Sequence, residues 1–197
     1  MSEQTAGSPA APIVAGATNP TPGSVKVGTT ERLGGPWVVT DELHSFMGIW
    51  ENGVANGKNF ANQMVTDGFI LTVYYDSRHL PTVGCGHLVV AADKLKIGDK
   101  ITKARAEELH TKDIKAAEDR VNKAIMVPLF QYEYDALVSV TFNAGVNGAA
   151  KLLAEVNKGD YKKIPAFITT FRTGGGNTKR RASEAQVFKS GVYDASH

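Results

Sequence analysis

Strand-forming residues cluster in one short window of this chain, and helix-forming residues fill the half that follows it. FILTVYY at 69–75 is a β-branched and aromatic run of the kind that favours a strand. Val83 to Val90 predicts a return strand, paired with the first across the Asp76–Pro81 turn. From about Thr102 the apolar residues recur at helical spacing instead. Leu109, Ile114, Val121 and Ile125 predict one long helix ending before Pro128. Residues 131–144 predict a second helix around Tyr134, Leu137, Val138 and Thr141, and Leu152, Leu153 and Val156 mark a third. Asp160 is placed to cap a fourth, with Ile164, Phe167, Ile168 and Phe171 on one face. GGGNT breaks the chain, and KRRASEAQVFK forms the last helix, which Gly191 terminates.

Ahead of the strands, Thr40 or Asp41 caps a helix with Leu43, Phe46, Met47 and Trp50 on one face. The Asn52-Gly53 pair ends it, which leaves Glu51 in its last turn. Residues 53–68 carry so many Asn, Asp and Gly residues that they predict a long loop with at most one short helical turn. The order of helix, strands, then a run of helices is α+β, with the strands segregated to one lobe. Residues 1–36 are rich in Ala, Pro, Gly, Thr and Ser without a period, and predict a flexible arm before an ordered domain over 37–197.

Composition excludes several classes. A formal net charge of +2 is too small for a nucleic-acid binder, although the pI near 8.6 favours an anionic target surface. No apolar run approaches the roughly 18–20 residues that span a bilayer. Cys85 is the lone cysteine, so neither an intrachain disulfide nor a multi-cysteine metal site is available. His44, His79, His87, His110 and His197 show no metal-ligand spacing, and no cofactor is predicted. The N-terminus lacks the basic and apolar regions of a secretory signal.

Three side chains could carry chemistry. Glu51 is either a surface glutamate at a frayed helix end or a general acid, since the negative end of the helix dipole and the neighbouring Trp50 both disfavour its ionised form. Asp76 opens a turn, where it either caps the backbone or stands ionised in solvent to support positive charge or activate water. Thr82, at the start of the return strand, is either an ordinary strand residue or a hydroxyl that orients a water. Cys85 and His87 would share a face in a regular strand, but no cysteine-protease signature surrounds them, and burial of the thiol is the simpler reading. Lys179, Arg180 and Arg181 crowd a helix N-terminus, where cations oppose the dipole. One of them therefore calls for an anionic partner, either an acidic side chain or a substrate carboxylate.

FMGIWENG (46–53), YYDSRHLPTVGCGH (74–87), LVSVTFNAGVNG (137–148) and NTKRRASEAQVFKSGVY (177–193) together resemble the phage-type lysozymes, glycoside hydrolase family 24. The Asp-to-Thr spacing of six and the glycines and histidine after it are the most specific part. The resemblance implies a lysozyme-like fold, with a small β-containing N-terminal lobe and a helical C-terminal lobe joined by a long helix. It implies a muramidase that cleaves the β-1,4 bond between N-acetylmuramic acid and N-acetylglucosamine in peptidoglycan. It makes Glu51 the general acid, Asp76 the second carboxylate and Thr82 the residue that helps place the attacking water. His87, Phe142 and Asn143 match positions that bind substrate or shape the cleft. The pattern is stretched in one place, because 25 positions separate Glu51 from Asp76, far more than the family has. Glu42 is an alternative acid, but it lies near the start of the helix, where the dipole favours its charged form.

Such an enzyme would be made in the bacterial cytoplasm and act on the periplasmic cell wall after holin- or injection-type delivery. An endolysin, a tail lysozyme and a secreted effector all fit, with a spike or tail carrier or an immunity protein as possible partners. The alternative from another class is a peptidoglycan-binding module that keeps the fold without turnover.

Overall fold

The computed structural model of the protein describes residues 24–26, 31–145 and 147–196. The elements run β1 (Ser24–Lys26), α1 (Asp41–Asn52), β2 (Gly57–Lys58), β3 (Met64–Thr66), β4 (Phe69–Tyr75), β5 (Pro81–Gly84) and β6 (His87–Leu88). They continue through α2 (Lys103–Ala124), α3 (Gln131–Ala144), α4 (Ala150–Val156), α5 (Ile164–Thr170), α6 (Thr178–Ser190) and β7 (Val192–Asp194). Strands β2 to β6 form one antiparallel sheet in chain order, and β1 pairs with β7 in a separate ribbon. The fold is α+β with its main sheet in one lobe.

Helix α1 starts and stops where its sequence dictates. Thr40 Oγ1 accepts from the Leu43 amide, Asp41 and Glu42 complement the positive end of the dipole, and Gly53 closes the helix in the left-handed region at φ 84°. Leu43, Phe46 and Met47 are its buried face. The long helix α2 serves both lobes. Its first half gives Ala106 and Leu109 to the small clusters under the sheet, and its second half gives Ile114, Ala117 and Val121 to the main helical core. Helix α3 is buried along most of its length, as a mostly apolar helix must be.

Three expectations are corrected. Residues 53–68 are not a loop: they extend the sheet edge as the β2–β3 hairpin. Asn59 Oδ1 accepts from the Ala61 and Gln63 amides, Val65 is buried, and these few bonds are enough for a hairpin with two- and three-residue strands. A Cβ on Gly48 would lie 2.6 Å from the Gly68 carbonyl oxygen, so two glycines let the returning chain press against α1. The predicted strand over 83–90 is broken into β5 and β6, because Gly84 and Gly86 adopt φ of 67° and 80° around Cys85. Cys85 and His87 therefore do not share a strand face. Asp160 does not cap α5. Its carbonyl accepts from the Lys163 amide in a preceding turn, and its carboxylate pairs with Lys163 at 2.6 Å.

The segment before α1 lies on the helical lobe. Leu33 and Leu129 exchange both backbone hydrogen bonds, at 2.8 and 2.9 Å. The Arg32 guanidinium stacks between the rings of Phe130 and Tyr161, and pairs with Glu133 at 2.6 Å. The rest of the predicted 1–36 arm, residues 1–23 and 27–30, falls outside the described residues.

Candidate active site

Glu51 sits in the last turn of α1 with about a third of its side chain exposed, and the next residue fixes where that turn lies. Asn52 is buried, and its amide donates to the Gly68 carbonyl at 2.7 Å and to the Gly84 carbonyl at 3.0 Å. The C-terminus of α1 is thereby tied to the end of β5, two residues beyond Thr82. In the sequence Asn52 reads only as a helix stop. A buried amide that bridges two strands has no local sequence signature.

Glu51 Oε1 accepts from Arg180 Nη1 at 2.6 Å. Arg180 is buried in α6, and its Nε donates to Glu184 at 3.2 Å. Glu184, with no exposed surface, also accepts from Ser139 Oγ at 2.6 Å and forms an ion pair with Arg181. Arg181 reaches further, donating to the Phe171 carbonyl at 2.8 Å and to Asn143 Oδ1 at 2.7 Å. One network thus runs from Glu51 through two arginines to Asn143 at the end of α3. The anionic partner expected for the basic cluster is present, and it is protein: Glu51 and Glu184. Among the described residues Arg180 Nη2 has no partner, which leaves a donor beside Glu51.

Asp76 is built quite differently. Its Oδ1 accepts from the Arg78 and Leu80 amides, both at 2.8 Å, while its backbone N–H donates to the Leu80 carbonyl at 2.9 Å. The Leu80 amide first, then Arg78, hold its carboxyl below the usual carboxylate range against a slight cost of burial. Asp76 is therefore ionised at neutral pH.

Thr82 pairs with Tyr74 across the hairpin, is buried, and donates its hydroxyl to the Leu80 carbonyl at 3.1 Å. Val73 and Val83 point into the cluster with Leu109 of α2, so strand alternation turns Tyr74 and Thr82 to the opposite face. Burial and then the charge of Asp76 raise the Tyr74 hydroxyl, and burial above all pushes the Cys85 thiol well up. Cys85 is thus a protonated, buried thiol.

His87 is held by carboxylates at both ring nitrogens, Nδ1 by Asp113 at 2.9 Å and Nε2 by Asp93 at 3.1 Å. Burial opposes its charge, but Asp113 and Asp93 outweigh burial and raise its pKa. It ties β6 to α2. Phe142 is half-buried against the edge of His110, with ring centroids 6.3 Å apart. Among the described residues no group of three or more His, Cys, Asp or Glu side chains is arranged to hold a metal ion. None of the helices in the described residues is long and apolar enough to cross a membrane.

Residues 65–184 match the phage lysozyme family, a span that includes Asp76, Thr82, His87, Phe142 and Asn143 and begins after Glu51. The chain is 31% identical over 151 residues to the endolysin of Salmonella phage P22, spanning 73% of this chain and 99% of that one. It is 33% identical over 135 residues to the endolysin of Acyrthosiphon pisum secondary endosymbiont phage 1, spanning 63% of this chain and 90% of that one. Among solved structures, the endolysin from Escherichia coli O157:H7 phage FAHEc1 superposes with a TM-score of 0.63 at 27% identity, covering 82% of this chain and 99% of that one. The match to the family spans more than half of the chain, and the P22 relative is covered almost end to end. The protein belongs to the phage lysozyme family and is a lysozyme-type glycoside hydrolase, a muramidase-type enzyme of peptidoglycan.

Proposed function

We propose that the enzyme hydrolyses the β-1,4 bond between N-acetylmuramic acid and N-acetylglucosamine by a single displacement, with Glu51 as acid and Asp76 and Thr82 as the water-handling pair. The observation that carries this reading is the Asn52 bridge from the α1 terminus to the Gly84 carbonyl, two residues beyond Thr82. Glu51 Oε1 is occupied by Arg180, which leaves Oε2 to carry the proton to the glycosidic oxygen. As that bond breaks, positive charge grows on the anomeric carbon. Asp76, ionised by its own turn, stabilises that charge and takes a proton from the attacking water, which the Thr82 hydroxyl orients. The proton given by Glu51 leaves with the new sugar hydroxyl, and solvent restores it. Asn143 and Phe142 line the substrate path from the helical lobe, and His87 supports the sheet side.

Residues 37–197 act as the catalytic domain, and 1–36 as an arm whose last residues lie on the helical lobe. The enzyme acts on the cell wall after holin- or injection-type delivery. Analysis of the first products by NMR tests the chemistry. Inversion at the cleaved β bond gives the α-anomer; a retained β-anomer would contradict single displacement and require a covalent intermediate.

A further inference from the structure

The hairpin that lengthens the path from Glu51 to Asp76 ends in an aromatic side chain left open to solvent. Phe60, at the β2–β3 tip, is fully exposed. A loose loop would not hold an apolar ring in one place, but this hairpin is tied at several points. Asn59 Oδ1 accepts from two amides inside the tip, Asn56 Oδ1 accepts from the Asp67 amide at 3.0 Å, and the Gly68 amide donates to the Ala55 carbonyl at 2.8 Å. Strand β3 is paired to β4, which leads into Asp76.

The tip also has a definite position. A Cβ placed on Gly53 would lie 3.7 Å from Phe60 Cδ2 and 3.8 Å from Cε2. Gly53 is the C-cap of α1, two residues after Glu51. The ring therefore stands at the end of the helix that carries the proposed acid. Met64, the first residue of β3, is also largely exposed, as is Lys58, which it faces across the hairpin. An exposed phenylalanine contributes nothing to folding through burial. A bare ring on a tied hairpin, beside the proposed sugar-cleaving acid, is suited to lie against the apolar face of a pyranose.

We propose that Phe60 is a stacking platform for an N-acetylhexosamine ring of the glycan strand, and so a specificity-determining residue contributed by the hairpin. This rests on the glycan-cleaving reading of the Glu51 site. Phenylalanine has no polar tip, so its contribution is affinity for the strand, the same in ground and transition states. Its removal raises KM and leaves kcat in place.

The test uses the full chain on purified peptidoglycan sacculi, with the wild type, Phe60→Ala and Phe60→Tyr. Phe60→Ala should raise KM about three- to tenfold with kcat within about twofold, and Phe60→Tyr should restore the wild-type KM. Thermal midpoints should be the same for all three, because the ring is exposed. Unchanged KM in Phe60→Ala overturns the inference, as does a Phe60→Tyr variant as weak as alanine. Co-sedimentation with sacculi in a Glu51→Gln background reads affinity without turnover. Weaker sedimentation of Phe60→Ala supports the platform, and equal sedimentation, or none by either protein, overturns it. A wild type that releases no reducing ends strikes the catalytic reading and leaves the sedimentation comparison to decide this one.

Discussion

Glu51 and Asp76 are both carboxylates at the end of a secondary-structure element, and they are held in opposite ways. Asp76 is fixed by amides two and four residues away, so its turn carries its own anchor. Glu51 is fixed by an arginine 129 positions along the chain, and by a neighbouring asparagine that reaches two strands. A local anchor survives wherever the hairpin forms. A long-range anchor exists only when both lobes are folded and docked. The proposed acid is thus conditional on the whole fold, and the proposed water-handling carboxylate is not.

Breaking the long-range side alone should show the largest effect. Glu184→Gln keeps the shape but leaves Arg181 with a neutral partner in a buried site and Arg180 with Glu51 as its one carboxylate among the described residues. Removing one member of such a group costs about 3–5 kcal/mol, which urea denaturation would measure. The Asp76 turn should keep its amide chemical shifts below the midpoint, while activity falls with the position of Glu51. Loss of the turn at the same time would show that the two anchors are not independent.

The same contrast should appear in pH dependence. His44 of α1 and His110 of α2 face each other with Nδ1 atoms 3.0 Å apart. Burial lowers both, for His44 against the pull of Asp41 and Glu107, and for His110 to about 3 with further help from the positive charges of His44 and Arg180. Depressed pKa values mean that stability is complete above the unfolded value of about 6.5 and is lost as pH falls towards the folded values. The loss reaches up to tenfold in the folding equilibrium per pH unit for each histidine. Acid therefore loosens the packing of the helix that carries Glu51. His87 on the sheet side has the opposite sign, because its pKa is raised. Its contribution is complete below about 6.5 and is lost as pH rises through the raised value. Thermal midpoints followed across pH should fall on the acid side, with a shallower fall in His110→Leu. A midpoint unchanged between pH 7 and 4 would contradict the buried, neutral pair.

The smallest effect belongs to the local side. Arg78 reaches Asp76 Oδ2 at 3.3 Å through a largely exposed side chain. The two amide bonds to Oδ1 remain in Arg78→Ala, so neither the thermal midpoint nor activity should change measurably. A large loss in this variant would show that the amides alone do not hold the turn.

This difference between anchors also explains what could be read from the chain. The Asp76 turn, the Thr40 cap and the Gly53 stop each depend on residues within a few positions, and each is visible as a short pattern. The opposing cations at the start of α6 signalled a need for anions, but not that Glu51 and Glu184 were the ones. The β2–β3 hairpin is not legible in the chain because Asn- and Gly-rich composition describes a loop and a tight hairpin equally well, and Val65 is its one buried apolar anchor. The break at Gly84 and Gly86 is hidden by the valines around it, which outweigh two glycines whose positive φ decides the matter. Asn52 left no mark at all, since its two acceptors are backbone carbonyls.

The most direct test of the account is muropeptide release from purified sacculi by the wild type and Glu51→Gln, measured with both proteins folded to the same thermal midpoint. Loss of the proton donor should cut release about 10²- to 10⁴-fold. Equal release by the two proteins would contradict Glu51 as the acid, and with it the pairing of the α1 terminus and the Asp76 turn as one active site.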